Sequence, residues 1–228
     1  MSRRYALYCL PAPGSRLEAF GRSVLGTDPV SGAAVPHPEG LSDLAAVTAG
    51  ARLYGFHATL KAPLRLAAGT TEADLVAATR DLAAAHPPVA VGPLRVAALG
   101  PFLALVPEAP PPELGLFAAE CVAALDPFRA PLTEAERAKR RPERLDPRGR
   151  ALLARWGYPY VFEAFRFHMT LTDALPEAER EAWHRRLSEA YAAAGPEPLV
   201  IDAVCLLTQD GSGPFRLLAR LPFGEPRG

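Results

Sequence analysis

A pentapeptide that occurs twice constrains this chain more than any other feature of its sequence. The pattern Phe-His-x-Thr-Leu lies at residues 56–60 as FHATL and at 167–171 as FHMTL. A single match would carry little weight, because histidine and threonine are common residues. Two copies with the same flanking phenylalanine and leucine indicate an internal duplication, and such self-similarity is considered before any other fold argument.

The duplication extends well beyond the pentapeptide. Each copy is followed by a predicted helix, a strand, a Gly-Pro-Phe turn and a final strand, in the same order and at nearly the same spacing. These segments are 71–86, 94–99 and 102–107 in the first half, and 176–195, 199–208 and 215–222 in the second. The sequence therefore predicts a single domain over residues 1–228, with two pseudo-symmetric lobes whose motif units span about 54–107 and 163–222.

Outside the repeat, residues 4–10 predict a first strand, and the apolar spacing at 15–26 and 113–125 predicts helices. The segment 132–150 is highly charged and is interrupted by two prolines. A basic phosphate-binding arm is one interpretation of its arginines. Because acidic residues such as Glu134 and Glu136 interleave with them, a solvated helical face is favoured.

Composition limits the classes of function. Hydrophobic residues make up 49% of the 228 residues and charged residues 22%, which is typical of a soluble globular protein. The formal net charge is zero, so no global field attracts a polyanion such as duplex nucleic acid, whereas a small anionic ligand stays possible. The cysteines Cys9, Cys121 and Cys205 lie far apart in apolar runs, which predicts reduced core residues. The first apolar run ends at Pro11, too early for a signal peptide, and we expect a cytoplasmic protein with no membrane contact.

The two motifs carry groups that suit phosphodiester chemistry. Within each motif the histidine and the threonine are two residues apart, so on a strand their side chains share one face. A duplicated unit usually packs about a pseudo-two-fold axis, which would bring His57 and Thr59 together with His168 and Thr170 in a cleft. Histidine titrates near neutral pH, so one ring can accept a proton while the other gives one. Threonine hydroxyls donate hydrogen bonds to an oxyanion.

The longer strings YGFHATLK and FRFHMTLT, with WGYPYV ahead of the second, resemble the two-histidine (2H) phosphoesterase superfamily. This group includes RNA 2′,3′-cyclic phosphodiesterases and 2′-5′ RNA ligase-like proteins, and the strings look like a bacterial branch associated with phosphonate-utilisation operons. The resemblance covers nearly the whole chain. It implies an α+β, duplicated, bilobal fold in which two mainly antiparallel sheets face each other across a central cleft, with helices outside. It also implies His57 and His168 as the catalytic pair, Thr59 and Thr170 as phosphate contacts, and no metal or cofactor.

Four further residues are candidate substrate contacts: Lys61, Arg166, Tyr54 and Tyr160. Lys61 and Arg166 each lie two residues from a motif histidine or threonine and are predicted to share its face. Neither has a basic counterpart in the other half, where the equivalent residues are Thr172 and Gly55. The tyrosines are candidates to wall the pocket and to stack on a base or ribose, although core packing is the alternative. Gln209 follows a predicted strand, where it either contacts substrate or caps a turn.

The sequence as a whole predicts a monomeric, metal-independent hydrolase of a small cyclic phosphodiester, with a ribose cyclic phosphate from phosphonate breakdown as the favoured substrate. Processing of RNA 2′,3′-cyclic phosphates or 2′-5′ linkages is the alternative within the enzyme class. A non-catalytic phosphate- or RNA-binding module is the alternative outside it. The chain has no GxSxG elbow, P-loop or HExxH helix, and only two histidines are expected to converge, fewer than the ligands of a zinc site.

Overall fold

The computed structural model describes residues 3–224 and has a seven-stranded antiparallel sheet at its centre. The strands are β1 (Arg4–Cys9), β2 (Ala58–Leu64), β3 (Val89–Gly92), β4 (Leu94–Leu99), β5 (Phe102–Pro107), β6 (Met169–Thr170), β7 (Leu199–Ile201), β8 (Ala203–Gln209) and β9 (Arg216–Pro222). The large sheet has the order β4-β5-β6-β2-β1-β8-β9, and β3 pairs with β7 in a separate two-stranded sheet. The predicted α+β class with antiparallel sheets is confirmed.

Helices surround the sheets. They are α1 (Arg16–Leu25), α2 (Leu44–Val47), α3 (Glu72–Ala84), α4 (Pro112–Ala124), α5 (Glu134–Lys139), α6 (Pro147–Trp156) and α7 (Glu177–Ala194). The sequence signals for their ends are in place: the Ser15 side chain accepts a hydrogen bond from the Glu18 amide, and Gly26 ends α1 in the left-handed region. Thr71 and Asp74 form a capping box that starts α3. None of these helices, within residues 3–224, is long and apolar enough to cross a membrane.

The two motif strands are neighbours in one sheet, which differs from the expected arrangement in which they face each other from two sheets. Ala58 of β2 pairs with Met169 of β6. The remaining edges of these strands pair with β1 and β5, so both motif strands lie in the sheet interior. The halves also exchange partners, because β5 of the first half pairs with β6 of the second, and β3 pairs with β7. In this arrangement, neighbouring strands supply hydrogen-bond partners for the backbone N–H and C=O groups on both edges of each motif strand. If the motif strands faced each other from two sheets, other strands would have to supply these hydrogen bonds.

One face of the large sheet is covered by α3, α4 and α7, and this side contains the main hydrophobic core. Buried side chains of β1 and β2 such as Leu7, Cys9 and Leu60 point into it. A smaller apolar cluster that includes Ala6, Tyr8 and Phe215 lies apart from this core. The alternation of β1 residues between the two clusters shows that Tyr8 faces the side opposite the helices. All three cysteines are buried and unpaired, as predicted.

Two strand predictions need correction. Residues 199–208 were expected as one strand but form β7 and β8, separated at Asp202. In the first half, β3 was not predicted, and Pro93 separates it from β4. Proline lacks the backbone N–H that a continuous ladder requires, so the chain changes sheets at this position. The two missed segments are equivalent in the repeat, and they pair with each other.

Candidate active site

The four motif side chains lie on one face of the large sheet, where β2 and β6 meet. Continuing the antiparallel register from the pair of Ala58 and Met169 places His57 opposite Thr170 and Thr59 opposite His168. Side chains directly opposite each other in such a ladder have Cβ atoms about 4.5–5.5 Å apart. Ala58 and Met169 are fully buried on the core side, so their neighbours along the strand point the other way. Each histidine therefore lies beside the threonine of the other half.

Both histidines are oriented by the same backbone contact. His57 Nδ1 is 2.9 Å from the carbonyl oxygen of Gly55, and His168 Nδ1 is 2.8 Å from the carbonyl oxygen of Arg166. A carbonyl oxygen only accepts hydrogen bonds, so Nδ1 carries the proton and donates it in each ring. The Nε2 atom of each neutral imidazole is therefore the acceptor. The chain has thus fixed the tautomer that presents a basic nitrogen away from the backbone.

The surroundings of the two rings differ. His57 stacks on Tyr8 with ring centroids 3.6 Å apart, and its Nε2 accepts a hydrogen bond from the Thr59 hydroxyl at 3.2 Å. Burial lowers the pKa of His57 to about 4; the Gly55 carbonyl opposes this effect and the nearby His168 adds to it. His168 packs against Phe102 with centroids 5.7 Å apart. Burial also lowers the pKa of His168, against the opposing effect of its backbone hydrogen bond. Both rings are consequently uncharged in the free protein at neutral pH.

A cavity of about 540 Å³ opens on this face of the sheet, within the range of small-molecule sites. His57, Thr59 and Thr170 line it, together with three tyrosines, Tyr8, Tyr54 and Tyr158. His168 is not among the lining residues, although Phe102, against which it packs, and Thr170 do line the cavity. Burial raises the pKa of Tyr8 and of Tyr158, so both phenols stay protonated and are available as hydrogen-bond donors.

The strand β2 does not keep its alternation as far as Lys61. On β1 the consecutive residues Leu7 and Tyr8 pair with Lys61 and Thr59, which are two positions apart on β2. Leu60 is therefore an extra residue, a β-bulge, and it moves Lys61 off the face that carries Thr59. Leu7 points into the main core, and its partner Lys61 does the same.

Lys61 is 4% exposed and has a structural environment. Its Nζ donates a hydrogen bond of 2.7 Å to the Val122 carbonyl and lies 3.5 Å from Asp126 Oδ1. Burial lowers the pKa of Lys61 to about 8, and Asp126 opposes that effect. The structure therefore does not bring Lys61 to the cavity, and its place in the sequence argument rested on an unbroken strand.

The other predicted contacts separate into two groups. Tyr54 lines the cavity and stacks on Phe215 with centroids 5.5 Å apart. Tyr160 is exposed and packs edge-on against Tyr158, so Tyr158 occupies the wall that was expected for Tyr160. The Arg166 side chain lies outside this cavity, in a separate groove beside β4. Only the backbone carbonyl of Arg166 contributes to the site, through His168.

Three cations that the sequence argument did not assign also line the cavity: Arg4, Lys139 and Arg140. Arg4 and Tyr8 lie four residues apart on β1, and the alternation of RYALY was a signal that would have placed them on one face. Lys139 and Arg140 lie at the end of α5, in the segment predicted to be a solvated helical face. Lys139 is exposed, as predicted for a solvated face, whereas Arg140 is half-buried. Within residues 3–224, no three His, Cys, Asp or Glu side chains form a cluster that could hold a metal ion.

Comparisons with known proteins identify a family and two curated relatives. Residues 59–216 match a family described as a protein of unknown function, DUF1045. A protein from Janthinobacterium sp. (strain Marseille) named ribose 1,5-bisphosphate phosphokinase PhnN is 44% identical over 231 residues, 96% of this chain and 51% of that protein. A protein of the same name from Laribacter hongkongensis (strain HLHK9) is 36% identical over 222 residues, with the same coverage.

The chain thus spans about half the length of the curated relatives it matches. Among solved structures, a conserved protein of unknown function from Agrobacterium tumefaciens str. C58 is similar over 96% of this chain and 86% of its own, with 14% identity and a TM-score of 0.43. The family match covers well over half of the 228 residues. The chain belongs to the DUF1045 family.

Proposed function

We propose that this protein hydrolyses a small cyclic phosphodiester of ribose, with the two motif histidines as general base and general acid. One observation carries the proposal. On one face of one sheet, two histidines are tethered by Nδ1 to backbone carbonyls, and each lies opposite the threonine of the other motif. Two titrating groups and two hydroxyls in this arrangement match the charge development of an in-line attack on phosphorus.

The unequal surroundings of the rings support an assignment of roles. His57 has the strongly lowered pKa of about 4, so it is the neutral acceptor over nearly the whole working pH range. His168 is protonated before His57 as the pH falls, because the charge on His168 is one of the causes of the low pKa of His57. An anionic phosphodiester bound beside His168 would oppose the effect of burial and raise the pKa of this ring, which favours its protonated form in the complex. We therefore assign His57 as the base and His168 as the acid.

In the proposed step, one water molecule opens the cyclic ester. His57 Nε2 takes a proton from water as the water oxygen forms a bond to phosphorus. The bond between phosphorus and one ring ester oxygen breaks, and His168 gives its proton to that departing alkoxide. The products are one phosphomonoester and one free hydroxyl. Thr59 and Thr170 donate hydrogen bonds to the non-bridging oxygens, whose negative charge grows in the transition state.

The choice of a ribose substrate rests on the relatives. Both relatives are named as a kinase of ribose 1,5-bisphosphate, and this chain matches about half of each of them. We infer that the phosphokinase activity of those proteins belongs to the half that this chain does not cover. The half that it does cover would then act on a related sugar phosphate, and opening a 1,2-cyclic phosphate of ribose at O2 yields a ribose 1-phosphate ester. This order of reactions would link the chemistry of the candidate site to the ribose 1,5-bisphosphate for which the relatives are named.

The test is an assay of the purified protein in the presence of EDTA on ribose 1,2-cyclic phosphate and on nucleoside 2′,3′-cyclic phosphates. Turnover of the ribose compound that is lost in His57→Ala and in His168→Ala is the expected result. Turnover of the nucleotides alone would favour RNA-end processing instead. Binding of both compounds without turnover would favour a phosphate-binding module, and loss of activity with the chelator would contradict the metal-free mechanism.

A further inference from the structure

A group of three cations lines the cavity beyond the motif quartet. Arg4, Lys139 and Arg140 reach it from two distant parts of the chain, and none of the three forms an ion pair within the part that the structure describes. Many arginines elsewhere on this protein do pair with carboxylates, as Arg65 does with Glu136 at 3.0 Å. The two motif histidines and threonines are sufficient for the proposed hydrolysis of the phosphodiester, so this reaction assigns no role to the three cations.

Arg4 is held in position by neutral groups. It starts β1, opposite Gln209 of β8, and its Nε donates a hydrogen bond of 2.9 Å to the Gln209 side-chain oxygen. Gln209 is buried, and its amide donates in turn to the Gly213 carbonyl, which fixes the orientation of that amide. The guanidinium carbon of Arg4 lies 5.7 Å from the centre of the Phe215 ring. An arginine fixed by an amide and a ring keeps its full charge available to a ligand.

Lys139 and Arg140 are presented by a braced helix. Thr133 caps α5, and the Glu136 carboxylate of that helix binds the Arg65 guanidinium through two hydrogen bonds of 3.0 Å. Arg140 lies over the Tyr158 ring at 4.8 Å from its centre and is half-buried. The bracing of α5 therefore sets the position of Arg140, while the more exposed Lys139 completes the group.

Of the two carboxylates that line the cavity, one is paired with a cation outside the group and the other is held by neutral amides. Glu136 is engaged by Arg65, and Asp173 accepts hydrogen bonds of 2.8 and 2.7 Å from the backbone amides of Gly50 and Ala51. The cavity thus carries three cations against the single charge of Asp173, which leaves an excess of positive charge in addition to the catalytic groups. That is more than a cyclic phosphodiester needs, because it carries a single negative charge.

The cations and the catalytic quartet meet at Tyr8. His57 stacks on one side of this ring. Burial is the largest influence on the Tyr8 pKa and raises it, while the charges of Arg4 and Arg140 act in the opposite direction, as expected for two guanidinium groups near the same phenol. His57, Arg4 and Arg140 line the same cavity, so a small molecule whose cyclic ester contacts His57 can reach the two guanidinium groups with its other end.

We propose that Arg4, Lys139 and Arg140 form a second phosphate subsite, which binds a phosphomonoester on the same molecule as the cyclic diester. The inference rests on the proposed function and narrows its substrate class to a ribose cyclic phosphate with a terminal phosphate group. Guanidinium groups suit such a dianion, because they donate paired hydrogen bonds to its oxygens. The relatives are named for ribose 1,5-bisphosphate, which carries two phosphates on one ribose, and this agrees with the proposed substrate class.

The first test measures binding without turnover. Calorimetry with ribose 5-phosphate and with ribose, on wild type, Arg140→Gln, Lys139→Gln and Arg137→Gln, isolates the phosphate contribution. Arg137 lies on the same helix but does not line the cavity, so it is the matched control for surface charge. We expect ribose 5-phosphate to bind much more tightly than ribose, and Arg140→Gln to weaken it by about 10-fold or more, since a charged hydrogen bond is lost. Equal binding of the two sugars to wild type would overturn the subsite.

The second test uses catalysis and separates the two proposals. The ratio of kcat/KM for ribose 1,2-cyclic phosphate with and without a 5-phosphate should be well above one for wild type and for Arg137→Gln. It should fall by about 10-fold in Arg140→Gln. A ratio near one, or equal effects of the Arg140 and Arg137 variants, would reject the subsite and leave the hydrolase intact. Turnover of neither compound would reject the hydrolase, and the calorimetry would then decide the subsite by itself.

Discussion

The two copies of Phe-His-x-Thr-Leu share their backbone geometry and differ in what surrounds them. Each histidine is anchored to the carbonyl two residues earlier, at 2.9 Å in the first copy and 2.8 Å in the second. Yet the first copy lies on a strand of seven residues and the second on a strand of two. Only the first histidine is stacked under a tyrosine, Tyr8, and has a pKa as low as about 4.

This difference matters for the proposed hydrolysis, because that reaction is unsymmetrical. Acid-base catalysis requires one group that lacks a proton and one that holds a proton at the same moment. Two identical environments would give the histidines equal affinity for the proton. The duplication supplies the matched orientation of the two rings, and the unequal neighbours supply the difference in pKa.

The largest effect is expected for the two histidines, changed separately and together. His57→Ala and His168→Ala should each lower kcat by about 10²–10⁴-fold, because each removes one proton transfer from the transition state. The double variant should be little worse than the poorer single variant, since groups that act as a unit are not additive. Steady-state rates on the cyclic substrate measure this. Fully additive losses would show that the rings act independently.

A smaller effect is expected for the threonines. Thr59→Val and Thr170→Val keep the side-chain shape and remove one donor to the phosphate oxygens, which should reduce kcat by about 10²-fold. Thr59 also donates to His57 Nε2 in the free protein, so Thr59→Val should raise the pKa of His57 measured by NMR, and Thr170→Val should not. Unchanged rates in both variants would remove the threonines from the mechanism.

Gly55 and Arg166, whose carbonyl oxygens accept hydrogen bonds from the two histidines, should respond differently to substitution. Gly55 has φ 71° and ψ 174°, a conformation almost restricted to glycine, and an added Cβ would lie 2.7 Å from Pro29 Cβ. Gly55→Ala should therefore lower the free energy of unfolding by about 1–3 kcal/mol and reduce kcat by displacing the carbonyl that holds His57. Arg166→Ala keeps its carbonyl and should change the rate by less than about twofold, because its side chain lies outside the cavity. Denaturant unfolding and kcat of both variants check this, and a large loss of activity in Arg166→Ala would contradict it.

The smallest effect on activity is expected at the positions that follow the motifs, Lys61 and Thr172. Lys61→Met leaves the Val122 carbonyl without its partner, and Thr172→Val does the same to the Leu103 amide. Each should lower the free energy of unfolding by about 1–3 kcal/mol, as for other buried unsatisfied groups. The KM of Lys61→Met should stay at the wild-type value. A raised KM with unchanged stability would instead indicate that Lys61 contacts substrate.

The element order of this fold was predictable from the sequence, but the partners of its strands were not. Local signals such as Ser15, Gly26 and Thr71 define helix ends through contacts a few residues away, and they were sufficient. The pairing of β2 with β6 joins residues that are more than a hundred positions apart. The repeat indicates which strands are equivalent, but it does not indicate whether equivalent strands share a sheet.

As with the fold, part of the candidate site was predictable from the sequence and part was not. The duplicated motif identifies the quartet, because the repeat itself selects those side chains. Lys61 was misplaced because a β-bulge at Leu60 has no signal in a single sequence. Lys139 and Arg140 were overlooked because α5 alternates charge like a solvated helix, and only its packing through Glu136 and Arg65 directs its end at the cavity. The charge of the cavity is thus a tertiary property.

The pH dependence of kcat/KM is the measurement that tests the central claim most directly, since it reports the protonation of both histidines in the free enzyme. We expect a bell-shaped profile of kcat/KM against pH. On the acid side, kcat/KM should decrease near pH 4, where His57 gains a proton and no longer acts as a base. On the alkaline side, the midpoint of the decrease should lie below pH 6.5, where His168 loses the proton that it must donate. His57→Ala should abolish the acid limb, and His168→Ala the alkaline limb. A profile that is flat across this range, or limbs that survive in both variants, would contradict the two-histidine mechanism.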